Sequence, residues 1–351
     1  MGDRLRVAVL GATGLVGQMF VKILAEHPRF EIVYLAASER RAGKRYCEAV
    51  EWIVSGEPPR EVCELVVGRV DPEAVPREVD IVFSALPSSV AGEVEVGVAR
   101  RGFTVVSNAS PMRLDEDVPL LVPEINWEHV RLVKVQRERR GWSGAIYKNP
   151  NCSTAILVLS LAPLHRELGV EEVYLTTMQA VSGAGYTGVP SMAILDNIVP
   201  FIAKEEEKLA NEPRKILGEL RGGRVEPAGF RVYATTTRVP VLHGHLESVF
   251  LRTRRDASIE DVIRLWEEWR PLKGRGLRLA PEQPVVYRRE VDRPQPRLDR
   301  MTGGGMSSVT GRLRKLSERF YAYLVLGHNL IRGAAGNAVL IAEMLAEEGM
   351  V

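Results

Sequence analysis

The join at residues 5–17 constrains the fold more than any other stretch. A short apolar run, Leu5-Arg6-Val7-Ala8-Val9-Leu10, passes directly into Gly11-Ala12-Thr13-Gly14-Leu15-Val16-Gly17. Helical spacing of apolar residues follows over 15–26 and stops at His27-Pro28. A strand that ends in closely spaced glycines and opens a helix turns tightly there. It brings the first helical amides to the strand's carboxyl end, where a pyrophosphate can approach them. A glycine turn with no ligand is the plainer alternative, but the position between strand and helix favours nucleotide binding.

Further strand patterns at 31–37, 80–85 and 103–107 alternate with a small-residue helix over 90–101. Such alternation implies a parallel sheet covered on both faces. The texture changes near Cys152. Residues 153–168 read as a buried helix, 170–179 as a long strand, and 198–220 as a charged helix. Strands at 231–240, 246–252 and 321–326 flank an amphipathic helix at 259–269, which predicts an α+β unit with a mixed or antiparallel sheet. Residues 281–311 carry prolines, arginines and Gly303-Gly304-Gly305, and read as a loop. Leu330, Ala334, Ala338, Ile341 and Leu345 share one helical face that needs a surface to cover. The expected fold is α/β, with a Rossmann-type dinucleotide-binding domain formed by 1–151 and 329–351. An α+β catalytic and dimerisation domain then spans 152–328.

Composition excludes some partners. Among 351 residues, 47 Lys and Arg balance 45 Asp and Glu, for a net charge of +2. This argues against a nucleic-acid or membrane-surface protein, and no apolar run is long enough to span a bilayer. The N-terminus runs straight into strand 5–10, so a signal peptide is not expected. Three cysteines, Cys47, Cys63 and Cys152, include no Cys-x-x-Cys pair. That predicts neither disulfide nor zinc and a reducing, cytoplasmic setting. No metal site is expected.

Cys152 stands apart from the other two. It lies in Asn149-Pro150-Asn151-Cys152-Ser153-Thr154 at the start of a helix, where the positive dipole end favours a thiolate. Cys47 and Cys63 read as small buried apolar residues. A thiolate needs a proton handler and an anchor for its substrate. Arg238, His243 and His245 fall in one short segment, and spacing does not choose between the two histidines. Glu212 and Lys215 lie three apart at a helix, a pair that an exposed ion bridge would also explain. At the end of the second strand, Ser38 is followed by Glu39, Arg40, Arg41 and Lys44. A hydroxyl with cations suits a ribose 2′-phosphate, so NADP is favoured over NAD.

Six segments together resemble the aspartate-semialdehyde dehydrogenases, in their archaeal and fungal branch. These are GATGLVG at 11–17, NPNCSTA at 149–155, MQAVSGAGYTG at 178–188, EPRKILG at 212–218, RVPVLHGH at 238–245 and IRGAAGNAVLIAE at 331–343. The resemblance implies Cys152 as nucleophile, His245 as general acid and base, and Gln179 as the group that positions the acyl chain or nicotinamide. It implies Arg238 for the substrate carboxylate and Glu212 for its ammonium. Lys215, Asn151 and Arg113 of Ser110-Pro111-Met112-Arg113 would hold phosphate. Gly11, Thr13, Gly14, Leu15, Val16, Gly17, Ser38, Arg41, Ser84, Ser182, Gly185 and Asn337 would serve the cofactor.

The implied activity is NADP-dependent reduction of L-aspartyl 4-phosphate through a cysteine thioester, in lysine, threonine and methionine biosynthesis. The small-molecule substrate is the only partner expected besides a second copy, as a homodimer or homotetramer joined through the central sheet. A malonyl-CoA reductase would use the same cysteine, but would leave Glu212 without an amine to bind. N-acetyl-γ-glutamyl-phosphate reductase shares the thiol logic, with an acylated amine. A non-catalytic NADP-binding regulator would need none of Cys152, Gln179, Arg238 and His245.

Overall fold

The computed structural model describes residues 4–351. Six strands form the first sheet: β1 (Leu5–Leu10), β2 (Phe30–Ala37), β3 (Gly68–Arg69), β4 (Ile81–Ser84), β5 (Thr104–Ser107) and β6 (Ala145–Lys148). Their order is β3-β2-β1-β4-β5-β6, and every pairing is parallel. β1 therefore lies between β2 and β4, where the direction of chain winding reverses. Ligands of open parallel sheets bind at the strand carboxyl ends beside such a reversal.

Helix α1 (Leu15–Ala25) packs on one face of this sheet and α2 (Ser88–Arg100) on the other. After β6 the chain crosses Asn149-Pro150-Asn151 and enters α3 (Cys152–Leu168). This helix is buried from Ser153 through Leu164. This span is mostly apolar on all sides because it is covered on all sides.

The second sheet contains β7 (Val170–Ala180), then, after the small hairpin β8 (Glu219–Arg221) and β9 (Arg224–Glu226), β10 (Arg231–Val239), β11 (His245–Thr253), β12 (Val285–Arg288), β13 (Ser308–Ser317) and β14 (Phe320–Gly327). Its order is β10-β7-β11-β14-β13-β12. The β10–β7 and β12–β13 pairings are parallel and the three between them antiparallel. Its inner face packs Val173, Leu175, Val249, Tyr323 and Val325 against α3. The outer face leaves Tyr174, Tyr233 and Phe250 partly exposed, with the two tyrosine rings stacked at 5.1 Å.

α4 (Glu205–Ile216) follows an irregular stretch and is shorter than the charged helix expected over 198–220. Pro213 falls inside it, and the hairpin claims the residues after 218. α5 (Ile259–Glu268) is closed by a Ser258–Asp261 capping box. The loop expected over 281–311 contains β12 and the first residues of β13. Arg312, Arg314 and Lys315 hid that strand, since its outer half faces solvent. Helix α6 (Gly336–Glu347) returns to the first sheet, where Val339, Ile341, Ala342 and Leu345 join Val21, Leu24 and Phe83. No helix of the described residues is long and apolar enough to cross a membrane.

One sequence expectation is corrected here. Cys47 and Cys63 are joined in a disulfide across a separation of 16 residues. Two short helices, Tyr46–Ala49 and Arg60–Cys63, bring the sulfurs together, which an odd count and wide spacing could not reveal. The cysteines therefore give no support to a reducing compartment. Denatured, unreduced protein is expected to titrate one thiol per chain with a thiol reagent, and three after reduction. Three without reductant would show that the bond does not form.

Candidate active site

Cys152 is the first residue of α3, and Asn151 caps that helix. The Asn151 side-chain oxygen accepts from the amides of Ser153 and Thr154 at 3.1 and 3.2 Å. These bonds fix the side chain with its Nδ2 nitrogen toward the Cys152 sulfur, 4.0 Å away. His245, first residue of β11, brings Nε2 to 3.2 Å from Sγ. The geometry separates the two histidines: His243 instead contacts Ser182 Oγ at 2.9 Å and stacks on His328. The Ala180 amide donates to His245 Nδ1 at 3.0 Å. A neutral ring held this way carries its proton on Nε2 and points it at the sulfur.

Charge in the site is set by burial. Burial pushes the Cys152 thiol up to about 12, with repulsion from Glu205 adding to it, while Arg238, Lys208 and the Ser153 amide pull the other way. The helix dipole does not outweigh that, so the resting group is a thiol rather than the thiolate expected from its place at a helix start. His245 is held well below its ordinary range by burial, then by Arg238 and His328. A second proton on Nδ1 would also confront the Ala180 N–H. The resting pair is therefore neutral, and activation of the sulfur requires the proton to leave.

Two cavities meet in front of Cys152. One, of about 550 Å³, is lined by Cys152, Asn151, Arg113, Lys208, Ser182 and Gly185, among others, and reaches Gly14, Leu15 and Val16. The other, of about 860 Å³, is lined by Gly11, Thr13, Gly14, Ser38, Glu39 and Arg69, among others. Gly14, Ala85, Leu86 and Pro87 border both, so the trench runs from the glycine turn to the sulfur. α1 begins at this trench with no side chain capping its first amides. Gly11 has φ +82°, and a side chain there or at Gly17 would collide with backbone, Ala85 for the first and the Gly11 carbonyl for the second. Free amides on a turn that close are suited to a pyrophosphate.

Other residues named from the sequence lie elsewhere. Gly17 packs beneath the turn rather than on the cavity wall. Ser84 is wholly enclosed and donates to Glu95 Oε1 at 2.7 Å, in a network with Ser107 and Lys148. Asn337 is also enclosed, bonded to the Leu121 carbonyl, Asn149 and Arg332. The direct cofactor roles that the resemblance gave Ser84 and Asn337 are thus replaced by packing roles. Arg41 donates to the Ala49 carbonyl at 2.5 Å, and Arg69 is the arginine on the trench wall beside Ser38.

The substrate residues divide in the same way. Arg238 lies behind Gly183 and donates to the Ala180 carbonyl at 2.8 Å. Glu212 accepts from Arg113 at 2.9 Å and from the Asn151 amide at 2.6 Å. Both its oxygens are engaged, so it clamps the loop before Cys152 to α4. Lys215 donates to the carbonyls of Arg113, Asp115 and Val118, and burial pushes it down to about 8. It holds the 113–118 loop, and Arg113 with Lys208 supplies the cations at the cavity. Lys208 and Glu205 went unnoticed in the sequence because the run Glu205-Glu206-Glu207-Lys208 looks like a solvated helix face. The i, i+3 spacing of Glu205 and Lys208 was the available signal.

This is a nucleotide trench ending at a cysteine–histidine pair, the layout of a dehydrogenase that acts through a covalent thiol adduct. The chain belongs to the semialdehyde dehydrogenase family. The family's NAD-binding domain matches residues 6–133 and its dimerisation domain residues 161–332. The aspartate-semialdehyde dehydrogenase of Archaeoglobus fulgidus is 51% identical over 99% of this chain and 100% of its own. A malonyl-CoA reductase (NADP) from Metallosphaera sedula is 39% identical over 100% of this chain and 99% of its own. The crystal structure of the Candida albicans aspartate-semialdehyde dehydrogenase with NADP superposes with a TM-score of 0.91 at 41% identity. It covers 99% of this chain and 100% of that one.

The glycine turn yields a direct test. Gly17→Ala is expected to weaken NADPH binding at least about tenfold by fluorescence titration, since the turn must open to admit a methyl group. Unchanged affinity would show that the turn does not hold the nucleotide.

Proposed function

We propose that the chain catalyses the reversible, NADP-dependent reductive dephosphorylation of L-aspartyl 4-phosphate to L-aspartate 4-semialdehyde and phosphate, supplying lysine, threonine and methionine biosynthesis. The observation that carries this is the 3.2 Å contact between Cys152 Sγ and His245 Nε2, at the end of the nucleotide trench. Gly11, Thr13, Gly14, Leu15, Val16, Ser38 and Arg69 would hold the nucleotide. When bound, NADPH supplies the hydride that takes the acyl carbon to the aldehyde level.

The chain's own groups do the rest. Sγ attacks the acyl carbon, a C–S bond forms, and the C–O bond to phosphate breaks with its electron pair passing to the phosphate. The thiol proton leaves toward that phosphate, and the Nε2–H of His245 supports the developing thiolate. The Cys152 amide and Asn151 Nδ2 are the donors available to the acyl oxygen, each worth about 3–4 kcal/mol when aimed at developing charge. After reduction the C–S bond breaks, the aldehyde leaves and sulfur regains a proton. His245 keeps its Nε2 proton throughout, because a second proton would have to sit on Nδ1 and would displace the Ala180 bond. Arg113 and Lys208 give the cavity positive charge for an anionic substrate, and Arg238 suits its carboxylate through bidentate geometry.

A second reading, reduction of a CoA thioester by the same thiol, is favoured by the Metallosphaera sedula relative. Glu212 no longer speaks strongly against it, since that carboxylate is engaged by Arg113 and Asn151. The higher identity to the Archaeoglobus fulgidus enzyme favours the acyl phosphate. The division into 1–151 with 329–351 and 152–328 is part of this proposal. So is a homodimer that covers Tyr174, Tyr233 and Phe250 on the second sheet, which would keep these aromatic rings from water.

The test follows NADP reduction with L-aspartate semialdehyde, with and without phosphate, beside malonyl-CoA with NADPH. Phosphate-dependent turnover is expected, with Cys152→Ser slower by at least about 10³-fold and NADPH affinity kept within twofold. Turnover without phosphate, or a preference for malonyl-CoA, would contradict the assignment.

A further inference from the structure

We infer that Glu205 is a positioning residue of this site, whose single carboxylate holds the side-chain amides of Asn151 and Gln179 in their working orientations. The inference rests on the proposed chemistry of Cys152 and extends it to a residue with no contact to the substrate.

Glu205 opens α4 and is 4% exposed. Its Oε1 accepts from Asn151 Nδ2 at 2.8 Å and from Gln179 Nε2 at 3.0 Å. Its Oε2 accepts from Lys208 Nζ at 3.1 Å. Asn151 precedes the nucleophile on one chain segment, and Gln179 ends β7 on another. One oxygen thus ties the start of α3 to the end of β7.

The geometry has a consequence at each amide. Asn151 spends its carbonyl oxygen on the α3 amides and one N–H on Glu205, which leaves the second N–H for the region of Sγ. Gln179 spends both N–H groups, one on Glu205 and one on Thr177 Oγ1 at 3.3 Å. Its carbonyl oxygen is the end left for a ligand. A side-chain amide has two ends that the protein must tell apart: at Asn151 the α3 amides and Glu205 do so together, one at each end, and at Gln179 the Glu205 acceptor does so. A carboxylate accepts and never donates, so it cannot support the flipped amides.

Placing that carboxylate here has a cost. Its charge opposes a thiolate at Cys152 and, added to burial, holds the Glu247 carboxyl on β11 well above its ordinary range. Lys208 on α4, Arg238 on β10 and His245 on β11 face the same space, with Arg113 on the cavity wall. A bystander glutamate would leave this charge balance and the reaction rate uncoupled. A positioning glutamate predicts that removing its charge makes the sulfur easier to ionise while the reaction becomes slower.

The experiment compares wild type, Glu205→Gln and Glu205→Ala in the full-length protein. Turnover of L-aspartate semialdehyde with phosphate and NADP is measured beside the iodoacetamide alkylation rate of Cys152 as a function of pH, without substrate. Glu205→Gln, which keeps shape but loses charge, is expected to lower kcat several-fold, and Glu205→Ala by at least about thirtyfold. KM for both substrates should stay within about threefold, because the amides act on the reacting atoms. The alkylation profile of both variants is expected to move to lower pH. Unchanged kcat, or kcat falling while the alkylation profile stays put or moves up, would overturn the inference. If the wild type itself fails to turn over L-aspartate semialdehyde, it is the proposed reaction that falls, and the alkylation profiles still decide the charge coupling.

Discussion

α3 is apolar around its circumference from Ala155 to Leu164 except at Ser160, and the need to bury it fixes where Cys152 sits. The strand before it, β6, belongs to the first sheet, and the helix itself belongs to the core beneath the second. The first turn of α3 must therefore stand at the seam between the sheets, where the nucleotide trench ends. Everything that acts on the sulfur is reached from that seam. β11 brings His245 from the second sheet, Asn151 ends the crossing loop, and Gly333 before α6 packs its backbone against Cys152.

Burial at the seam also decides the chemistry. Burial of its surroundings favours the protonated form of the half-buried sulfur, and a histidine deprived of water stays neutral. Neither residue is reactive alone, and the surrounding charges are arranged in opposition: Arg238 and Lys208 favour the thiolate while Glu205 resists it. The site trades resting reactivity for orientation. Asn151, Glu212 and Arg113 link the helix start, α4 and the 113–118 loop through directional bonds that a hydrophobic contact could not supply. The separation of roles is clear at Lys215 and Glu212, whose charged ends are used inside the protein.

Much of the fold was legible because it follows from periodicity. The alternation of apolar strands and spaced helices predicts the parallel sheet, and the largely apolar 153–168 segment announces a buried helix. The glycine turn was legible for a similar reason, since only the meeting of a strand and a helix gives such glycines a purpose. The nucleophile stood out by its polar, turn-forming neighbours. What the sequence withheld depends on distance in space. It could not rank His243 against His245, because that choice is made by the register of β11 against β7. It could not show the Cys47–Cys63 bond, nor that Ser84 and Asn337 turn inward. Glu205 was hidden because burial gives an acidic helix start a purpose that composition alone reads as solubility.

The most direct measurement is of the covalent step itself. Enzyme mixed with L-aspartate semialdehyde and NADP, with phosphate left out, should accumulate an acyl group that cannot be released as acyl phosphate. Acid quenching and peptide mass spectrometry should find an aspartyl adduct, cleaved by hydroxylamine, on the peptide that carries Cys152. An adduct on any other side chain, or none in a preparation that turns over when phosphate is added, would contradict a thioester at the seam.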